Sequence, residues 1–147
     1  MEENPQSITL VRTFKSPVEK VWDAWTTPEG WSAWYGKPWE VLADQTEIDP
    51  RVGGKWKSTT IAEGQEIRFM GEYTEFDKPN KLVMTIKLEG MPGDNFETGT
   101  AIFKKIDDNT TEMTFTQSGN LPPEEYAKGL KEGWTGFFNA LEKYLSN

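Results

Sequence analysis

The sequence of 147 residues contains no cysteine and no histidine. Without cysteine there can be no disulfide bond, no thiolate metal site and no cysteine nucleophile. Histidine is the usual general base near neutral pH and the commonest metal ligand. Its absence excludes Ser-His-Asp and Cys-His catalytic arrangements and argues against a zinc site. The acidic residues are scattered and show no calcium-loop pattern, so we expect neither a metal nor a cofactor.

Positive charge is scarce as well. The chain has 16 Lys and Arg against 24 Asp and Glu, a net charge of −8, and no basic run. This balance argues against nucleic acid or an anionic membrane as the main partner. No apolar run approaches the ~20 residues that a membrane-spanning helix needs, and the acidic first five residues do not resemble a signal segment. We expect a soluble, cytoplasmic protein without membrane insertion.

Aromatic side chains, by contrast, are abundant, with seven Trp, eight Phe and four Tyr. A chain of this length most simply forms one domain, and it can bury most of the apolar surface that its unfolded form exposes. No internal repeat, low-complexity tract or linker divides the sequence. The sequence therefore predicts a single domain over residues 1–147 with a large aromatic core.

Residues 122–145 have the pattern of one long amphipathic helix. Pro122 and Pro123 suit a first helical turn, and Glu124 and Glu125 follow at the positive end of the helix dipole. The helix would be about 36 Å long at 1.5 Å per residue, which is enough to cover a small domain. At about 100° per residue, six apolar side chains fall on one arc that we expect to be buried: Tyr126, Leu130, Trp134, Phe137, Leu141 and Tyr144.

A stripe of small residues borders this apolar arc. A glycine inside a helix costs about 1 kcal/mol relative to alanine, so the stripe calls for a reason. It either allows another element to approach the helix closely, or it leaves a groove beside the aromatic side chains for a molecule that is not protein. The stripe consists of Gly129, Gly133, Gly136 and Ala140.

The amino-terminal part predicts a strand followed by two short helices. Residues 8–14 alternate as a strand with Arg12 on the apolar side, where it either reaches solvent or needs a carboxylate partner. Ser16, Pro17 and Glu19 match a capping box with Ser16 as the N-cap. A second helical segment begins at residue 27 and carries three aromatic side chains: Trp31, Trp34 and Tyr35.

Residues 39–118 have the pattern of about six strands joined by short turns, which predicts an antiparallel meander. Alternation is clearest in residues 82–88 and 111–117. In residues 65–76, Met70 and Phe76 have the opposite parity to the other apolar side chains, so the inward set is less regular. The side chains that we expect to point inward are Ile67, Phe69, Tyr73, Leu82, Met84, Ile86, Leu88, Met113 and Phe115.

This order of elements predicts an α+β protein. A single antiparallel sheet with one apolar face needs a cover, and the carboxy-terminal helix is the element long enough to provide one. We therefore expect a curved sheet that wraps around the long helix, with the apolar side chains of both elements between them.

Several motifs then suggest a relationship. They are Arg12-Thr13-Phe14-Lys15-Ser16-Pro17, Val21-Trp22-Asp23-Ala24-Trp25-Thr26, Trp34-Tyr35-Gly36, Asp49-Pro50-Arg51-Val52-Gly53-Gly54-Lys55-Trp56, Gly71-Glu72-Tyr73-Thr74-Glu75-Phe76, Pro79, Leu82-Val83, Gly133-Trp134 and Leu141. Together they resemble the START-like (SRPBCC) superfamily, and more narrowly the group named after the activator of the heat-shock protein 90 ATPase.

The resemblance implies a helix-grip fold, of the order β-α-α-β6-α, with an elongated and mostly apolar cavity between sheet and helix. Many members of the superfamily bind lipids, hormones or polyketides in that cavity. The group shares no catalytic constellation that could be transferred to this sequence. Most of the matching positions are expected to be structural.

The leading hypothesis is therefore a non-catalytic binder of a small apolar or amphipathic molecule. Apolar pockets of about 300–1,000 Å³ with a few polar groups are the usual form of such a site. Arg12 and Tyr73 would be its polar groups. The alternative at each position is a side chain that simply fills a solid core. The predicted ligand-binding residues are Arg12, Trp34, Trp39, Trp56, Phe69, Tyr73, Met84, Met113, Phe115, Gly133, Trp134 and Phe137.

Two alternatives remain open. One is a cyclase- or hydrolase-like enzyme that uses the same cavity, with acid–base work assigned to Tyr73, Arg12 or an inward Glu, and a buried carboxylate of raised pKa as its sign. The other is a protein-binding module, with a chaperone as a possible partner. It is suggested by the group's name and by an acidic surface that would steer a basic partner.

Overall fold

A computed structural model describes residues 6–37, 39–89, 97–119 and 131–146. In these ranges the chain forms eight β-strands, three α-helices and one 3-10 helix. The strands are β1 (Gln6–Phe14), β2 (Glu40–Val41), β3 (Glu47–Ile48), β4 (Lys55–Ala62), β5 (Gln65–Asp77), β6 (Lys81–Leu88), β7 (Glu97–Asp107) and β8 (Thr110–Gly119). The helices are α1 (Val18–Thr26), α2 (Pro28–Ser32), the 3-10 helix (Ala43–Gln45) and α3 (Lys131–Leu145).

The eight strands form one antiparallel sheet in the order β1-β8-β7-β6-β5-β4-β2, with β3 also paired to β4. Strands β4 to β8 are neighbours in sequence order, as the predicted meander requires. The sheet curls into a half-barrel with α3 on its inner face, so the predicted α+β helix-grip fold is confirmed. Residues 39–118 contain seven strands rather than about six, because β2 and β3 are two-residue segments that pair with β4.

The alternation in β6 and β8 is confirmed. Leu82 and Met84 of β6 are fully buried, as are Met113 and Phe115 of β8. Leu88, at the end of β6, is 38 % exposed although we expected it to point inward with the others. Each pair of strands therefore presents one apolar face to the interior and one polar face to solvent, as expected for a sheet covered on one side.

The irregular parity in β5 has a structural cause. The pairing of β5 with β6 shifts register between Tyr73 and Glu75, which marks a bulge. A bulge inserts one extra residue, so side chains beyond it change face. Phe76 consequently lies on the same side as Tyr73, and its ring contacts Tyr73 and Trp22 at centroid distances of 5.2 and 5.1 Å.

The predicted capping box at α1 is wrong. Pro17 is the N-cap residue of α1, and no side chain caps that end. Ser16 is buried, and its hydroxyl donates instead to the carbonyl oxygen of Leu145 at 3.5 Å, while Lys20 Nζ donates to the same oxygen at 3.0 Å. These groups therefore stabilise the carboxy-terminal end of α3, where the helix dipole favours a cation.

The second helical segment is shorter than predicted. Helix α2 ends at Ser32, so Trp34 and Tyr35 lie in the turn that follows it. Its N-cap is Thr27, whose hydroxyl accepts a hydrogen bond from the Gly30 amide at 3.1 Å. No helix among the described residues is long and apolar enough to cross a membrane.

Helix α3 covers the inner face of the sheet, but its buried face differs from the predicted arc. Trp134 and Leu141 are buried as expected, whereas Phe138 and Leu145 take the other two buried positions. Phe137 is only half-buried and Tyr144 is 37 % exposed. At both positions the helix turns the following residue, Phe138 or Leu145, toward the interior instead. Residues 122–130, with the predicted Tyr126, Leu130 and Gly129, lie outside the described residues.

The stripe of small residues on α3 does not mark a close approach. Among the described residues, a Cβ added to Gly133 would have no atom within 4 Å, and one added to Gly136 would have only the Lys37 carbonyl oxygen, at 4.0 Å. The close-approach explanation is therefore wrong for Gly133, which faces open space.

Candidate functional site

A cluster of aromatic rings fills the space between the helices and the sheet. At its centre lies Trp25 of α1, which is fully buried. The Trp25 ring contacts five other aromatic rings, at centroid distances between 4.9 and 6.3 Å. These partners are Trp31, Trp34, Phe103, Phe115 and Phe138. Much of the interior is therefore solid aromatic core.

The structure places the predicted ligand-binding residues in three environments. Those that are buried in the core are Trp34, Trp56, Tyr73, Met84, Met113, Phe115 and Trp134. Those that are half-buried on the inner face are Phe69 and Phe137. Those that lie at the periphery are Arg12, Trp39, which is 43 % exposed, and Gly133.

The buried indoles of this predicted set have hydrogen-bond acceptors within the protein. Trp34 Nε1 donates to the Ala24 carbonyl oxygen at 2.9 Å. Trp134 Nε1 donates to Gln117 Oε1 at 2.7 Å, and Gln117 Nε2 in turn donates to Glu97 at 2.7 Å. These bonds fix the orientation of both rings, which suits a structural role.

Of the two alternatives for Arg12, solvent or a carboxylate partner, the structure shows the carboxylate partner. Its Nη2 atom donates to Glu142 Oε1 of α3 at 2.8 Å. The ion pair joins the edge strand of the sheet to the last turns of the covering helix. Arg12 therefore holds α3 in place at this edge.

An apolar strip on the inner face of the sheet remains partly open. Tyr35 is buried, and its ring contacts Phe69 at 5.8 Å and Phe137 at 5.1 Å between centroids. Phe69 lies opposite Leu88 in the β5–β6 register, so Leu88 shares this face and is 38 % exposed. We call Tyr35, Phe69, Leu88 and Phe137 the inner strip. Its side chains range from Tyr35, which is buried, to Leu88, which is 38 % exposed.

Two polar side chains beside the inner strip were missed by the sequence reasoning. Ser58 and Thr60 lie on β4 with relative exposures of 0 and 1 %, and neither hydroxyl has a hydrogen-bond partner among the described residues. A buried hydroxyl without a partner costs about 1–3 kcal/mol by mutational data. Ser58 lies opposite Phe69 in the β4–β5 register and so borders the inner strip directly.

A signal for these two residues was present in the sequence. Lys55 and Lys57 alternate with Trp56, so the parity of β4 directs Trp56, Ser58 and Thr60 to the same face. A serine and a threonine on the face that carries a buried tryptophan are unusual core choices. Reading the parity of β4 from its two lysines would have placed them on the inner face, but not shown that they lack partners.

A second opening lies on the outer face of the sheet, away from α3. It is a cleft of about 600 Å³ whose lining includes Trp56, Gly71 and three lysines. Its other lining residues include Met70, which explains the outward parity of that side chain. The lining lysines are Lys55, Lys57 and Lys87.

Burial raises the pKa of both Tyr35 and Tyr73 well above the ordinary value of about 10. Both phenols are therefore protonated at neutral pH, and Tyr73 is a poor general base there. Among the described residues, the buried polar side chains include no Asp or Glu. The sign that we set for the enzymatic alternative, a buried carboxylate, is thus missing from this part of the chain.

The raised pKa of the two tyrosines predicts a loss of stability at alkaline pH. Unfolded tyrosines ionise near pH 10, whereas the folded ones stay neutral, so the stabilisation is complete below pH 10 and falls as the pH rises toward the folded pKa. Each tyrosine should lower the free energy of unfolding by about 1.4 kcal/mol per pH unit in that window. Urea unfolding between pH 9 and 12 measures this slope.

Single replacements separate this effect from the titration of the lysines, which all variants share. Tyr73→Phe should make the alkaline slope shallower, and Tyr144→Phe, at a position that is 37 % exposed, is the comparison variant for loss of a phenol. Equal slopes in both variants would show that Tyr73 does not lie in the buried environment described here.

Comparison with solved structures places this architecture among known ones. A protein from Chromobacterium violaceum has 24% sequence identity and a TM-score of 0.81, with 97% of this chain and 99% of that chain covered. One from Nitrosomonas europaea has 25% identity and a TM-score of 0.81, with 96% and 94% covered. An HSP90 activator from Plasmodium falciparum has 22% identity and a TM-score of 0.75, with 96% of each chain covered.

A comparison with curated proteins gives no match. The family model described as Activator of Hsp90 ATPase homolog 1-like protein, however, matches residues 15–146, which is nearly the whole sequence. With the curled sheet, the covering helix and this match taken together, the chain belongs to the Activator of Hsp90 ATPase homolog 1-like family.

Proposed function

We propose that this protein is a non-catalytic binder of a small apolar or amphipathic molecule, which is held at the inner strip between the sheet and α3. The observation that carries the proposal is the partial exposure of apolar side chains from the sheet and from α3 at the border of the core. Phe69 and Phe137 pack against the core but are only half-buried, and Leu88 beside Phe69 is 38 % exposed. Large apolar side chains that stay partly open at a concave surface are typical of ligand sites.

The shape of the site follows from the contacts of Tyr35. This ring lies between Phe69 on the sheet and Phe137 on α3, so a flat or flexible apolar ligand would contact side chains of both. Gly133 and Gly136 leave α3 without side-chain bulk near Phe137, which supports the open-groove explanation of the small-residue stripe. The buried members of the predicted set, such as Trp56 and Trp134, would form the wall behind the ligand rather than its first contacts.

A thermal-shift screen of fatty alcohols, fatty acids, steroids and flavonoids tests the proposal. A ligand at 100 times its Kd should stabilise the protein by about 2.7 kcal/mol and raise Tm accordingly. The Phe137→Ala variant should lose this shift, because its ring borders the site. Ile102→Ala is the matched control, since Ile102 is 44 % exposed on the outer face of the sheet.

Two results would count against the proposal. One is a screen without any shift, combined with native mass spectra of freshly purified protein that show no retained small molecule. The other is a ligand whose shift is equal in the Phe137→Ala and Ile102→Ala variants, which would place binding away from the inner strip.

Association with a chaperone is the second candidate function. It is supported by the family to which the chain belongs and by the fold that it shares with an HSP90 activator. The acidic net charge of −8 would favour a basic surface on the partner. The ATPase rate of purified Hsp90 with and without this protein is the measurement that separates this function from ligand binding.

A further inference from the structure

The two unpaired hydroxyls of β4 are the starting point. Ser58 and Thr60 are two residues apart on one strand, so their side chains point the same way and lie about 7 Å apart. Both are buried, and neither has a hydrogen-bond partner in the part of the chain that the structure describes. Other inner-face threonines differ: the hydroxyl of Thr111, equally buried on β8, donates to the Ser16 carbonyl oxygen at 2.8 Å.

The hydroxyls adjoin the inner strip. Ser58 pairs with Phe69 across the β4–β5 ladder, and Thr60 pairs with Ile67, which is also half-buried. On the other side, Thr60 Oγ1 lies next to Gly36, in the same turn as Tyr35. A molecule that entered along Phe69 would therefore meet these hydroxyls at the inner end of its path.

A third polar group without a partner lies among the buried residues behind the inner strip. Trp31 is 1 % exposed, and its Nε1 has no acceptor in the protein. Its ring stacks on Tyr35 at 4.4 Å and meets Trp56 edge-on at 5.2 Å between centroids. The buried residues behind the inner strip thus include the unpaired N–H donor of Trp31 and the hydroxyls of Ser58 and Thr60, which can donate or accept.

The strand neighbours of the two hydroxyls carry no charge. The neighbours of Ser58 and Thr60 in the β2–β4–β5 register, Val41, Ile67 and Phe69, are uncharged. Arg12 lies on β1, five strand spacings from β4, and is already paired with Glu142. An ionised carboxylate or ammonium group buried beside the hydroxyls would find no counter-ion among these strand neighbours, which is unfavourable.

We infer that Ser58 and Thr60 are the polar anchor of the proposed site, and that its ligand is an apolar molecule with an uncharged hydroxyl or carbonyl group. The inference rests on the proposed function. It adds the chemical class of the ligand: a neutral alcohol, phenol or ketone binds, and the carboxylate of the same carbon skeleton does not.

The test uses 1-decanol and decanoate as a matched pair of probes at pH 8, where decanoate is ionised. Binding to the whole protein is measured by thermal shift and calorimetry. We expect decanol to bind at least tenfold more tightly than decanoate. Because side chains about 7 Å apart are too far apart to share one hydroxyl group, at least one of Ser58→Ala and Thr60→Val should weaken decanol binding about tenfold, and the double variant should show the same loss.

The ligand-free variants give an independent readout. Thr60→Val removes a hydroxyl without a partner and nearly keeps the shape of the side chain, so its Tm should rise by a few degrees. Thr111→Val is the matched control: it breaks an existing hydrogen bond, so its Tm should fall, while decanol binding should stay unchanged. A hydroxyl that lowers the stability of the free protein and increases its affinity for the ligand acts as a binding group. A structural hydroxyl would instead increase the stability of the free protein.

The possible failures are distinguishable. Equal binding of decanol and decanoate, or decanol affinity that is unaffected by Ser58→Ala and Thr60→Val, would overturn the anchor while leaving the proposed function intact. A fall in Tm for ligand-free Thr60→Val would overturn the anchor as well, because it would show that the hydroxyl is already satisfied. Binding of neither probe, with no shift from any compound of the broader screen, would overturn the proposed function together with the inference.

Discussion

Replacing Trp25 with alanine is expected to lower the free energy of unfolding by about 3–5 kcal/mol, the usual range for a buried tryptophan. Trp25 is fully buried and contacts five other aromatic rings, so its removal leaves a cavity that its neighbours cannot fill without losing their own contacts. For a domain of this size the loss corresponds to a fall in Tm of about 10–15 °C. Calorimetry and urea unfolding measure both quantities.

Trp39→Ala is the control for this variant. Trp39 is 43 % exposed and has no ring contact with a described residue, so its replacement should change stability by less than about 1 kcal/mol. Added indole should recover part of the lost Tm in Trp25→Ala, since apolar cavities of this kind bind aromatic molecules. A loss below 1 kcal/mol for Trp25→Ala would contradict the packing described for the aromatic cluster.

Replacing Gly71 with alanine should have a comparable effect through a much smaller change. The β5–β6 ladder pairs Met70 with Lys87 and Tyr73 with Met84 but is open between them. In this gap the Thr85 carbonyl oxygen accepts a hydrogen bond from Trp56 Nε1 at 3.0 Å, directly beside Gly71. A Cβ on residue 71 would collide with that oxygen and lie 2.5 Å from Trp56 Nε1.

Neither neighbour of Gly71 can move away easily. The Thr85 oxygen belongs to the backbone of β6, and the Trp56 ring is held between Trp31 and Tyr35. The strands would have to separate, and the indole hydrogen bond would break. We therefore expect Gly71→Ala to lower the free energy of unfolding by about 3 kcal/mol or more.

Gly133→Ala is the matched control because it adds the same methyl group. Gly133 lies in α3 with no atom within 4 Å of the added Cβ, and alanine is the better helix former. This variant should be more stable than the original by about 0.5–1 kcal/mol. Unfolding curves for both variants under one condition would test the contrast, and a neutral Gly71→Ala would show that the strands can part without loss.

The sequence predicted those parts of the fold whose two faces differ strongly. Strands β6 and β8 alternate apolar and polar residues, so their inward sets follow from period 2 alone. The face of α3 did not follow in the same way. Phe137 and Phe138 are adjacent, as are Tyr144 and Leu145, so two apolar arcs about 100° apart fit the sequence. The choice between them depends on the rings that α3 meets, Phe115 among them, and these are set by tertiary packing.

The candidate site was predicted only in outline. Aromatic content predicted which residues lie inside, and Phe69 and Phe137 were among them, but it did not distinguish packed rings from partly open ones. Ser58 and Thr60 were missed because serine and threonine are also common on the solvent face of a strand. Only the strand's parity together with the absence of partners makes them notable, and the second of these requires coordinates.

The contacts at the end of α3 also bear on how the chain acquires its fold during synthesis. Arg12 and Glu142 are 130 positions apart, and Ser16 and Leu145 are 129 positions apart. Contacts of such sequence separation form late and slow folding. While a ribosome makes this chain, strand β1 and the rings of α1 emerge first and must wait for α3 to cover them. The apolar side chains of β1 and α1 that α3 covers in the folded protein therefore stay exposed in the nascent chain until residues 131–146 have emerged.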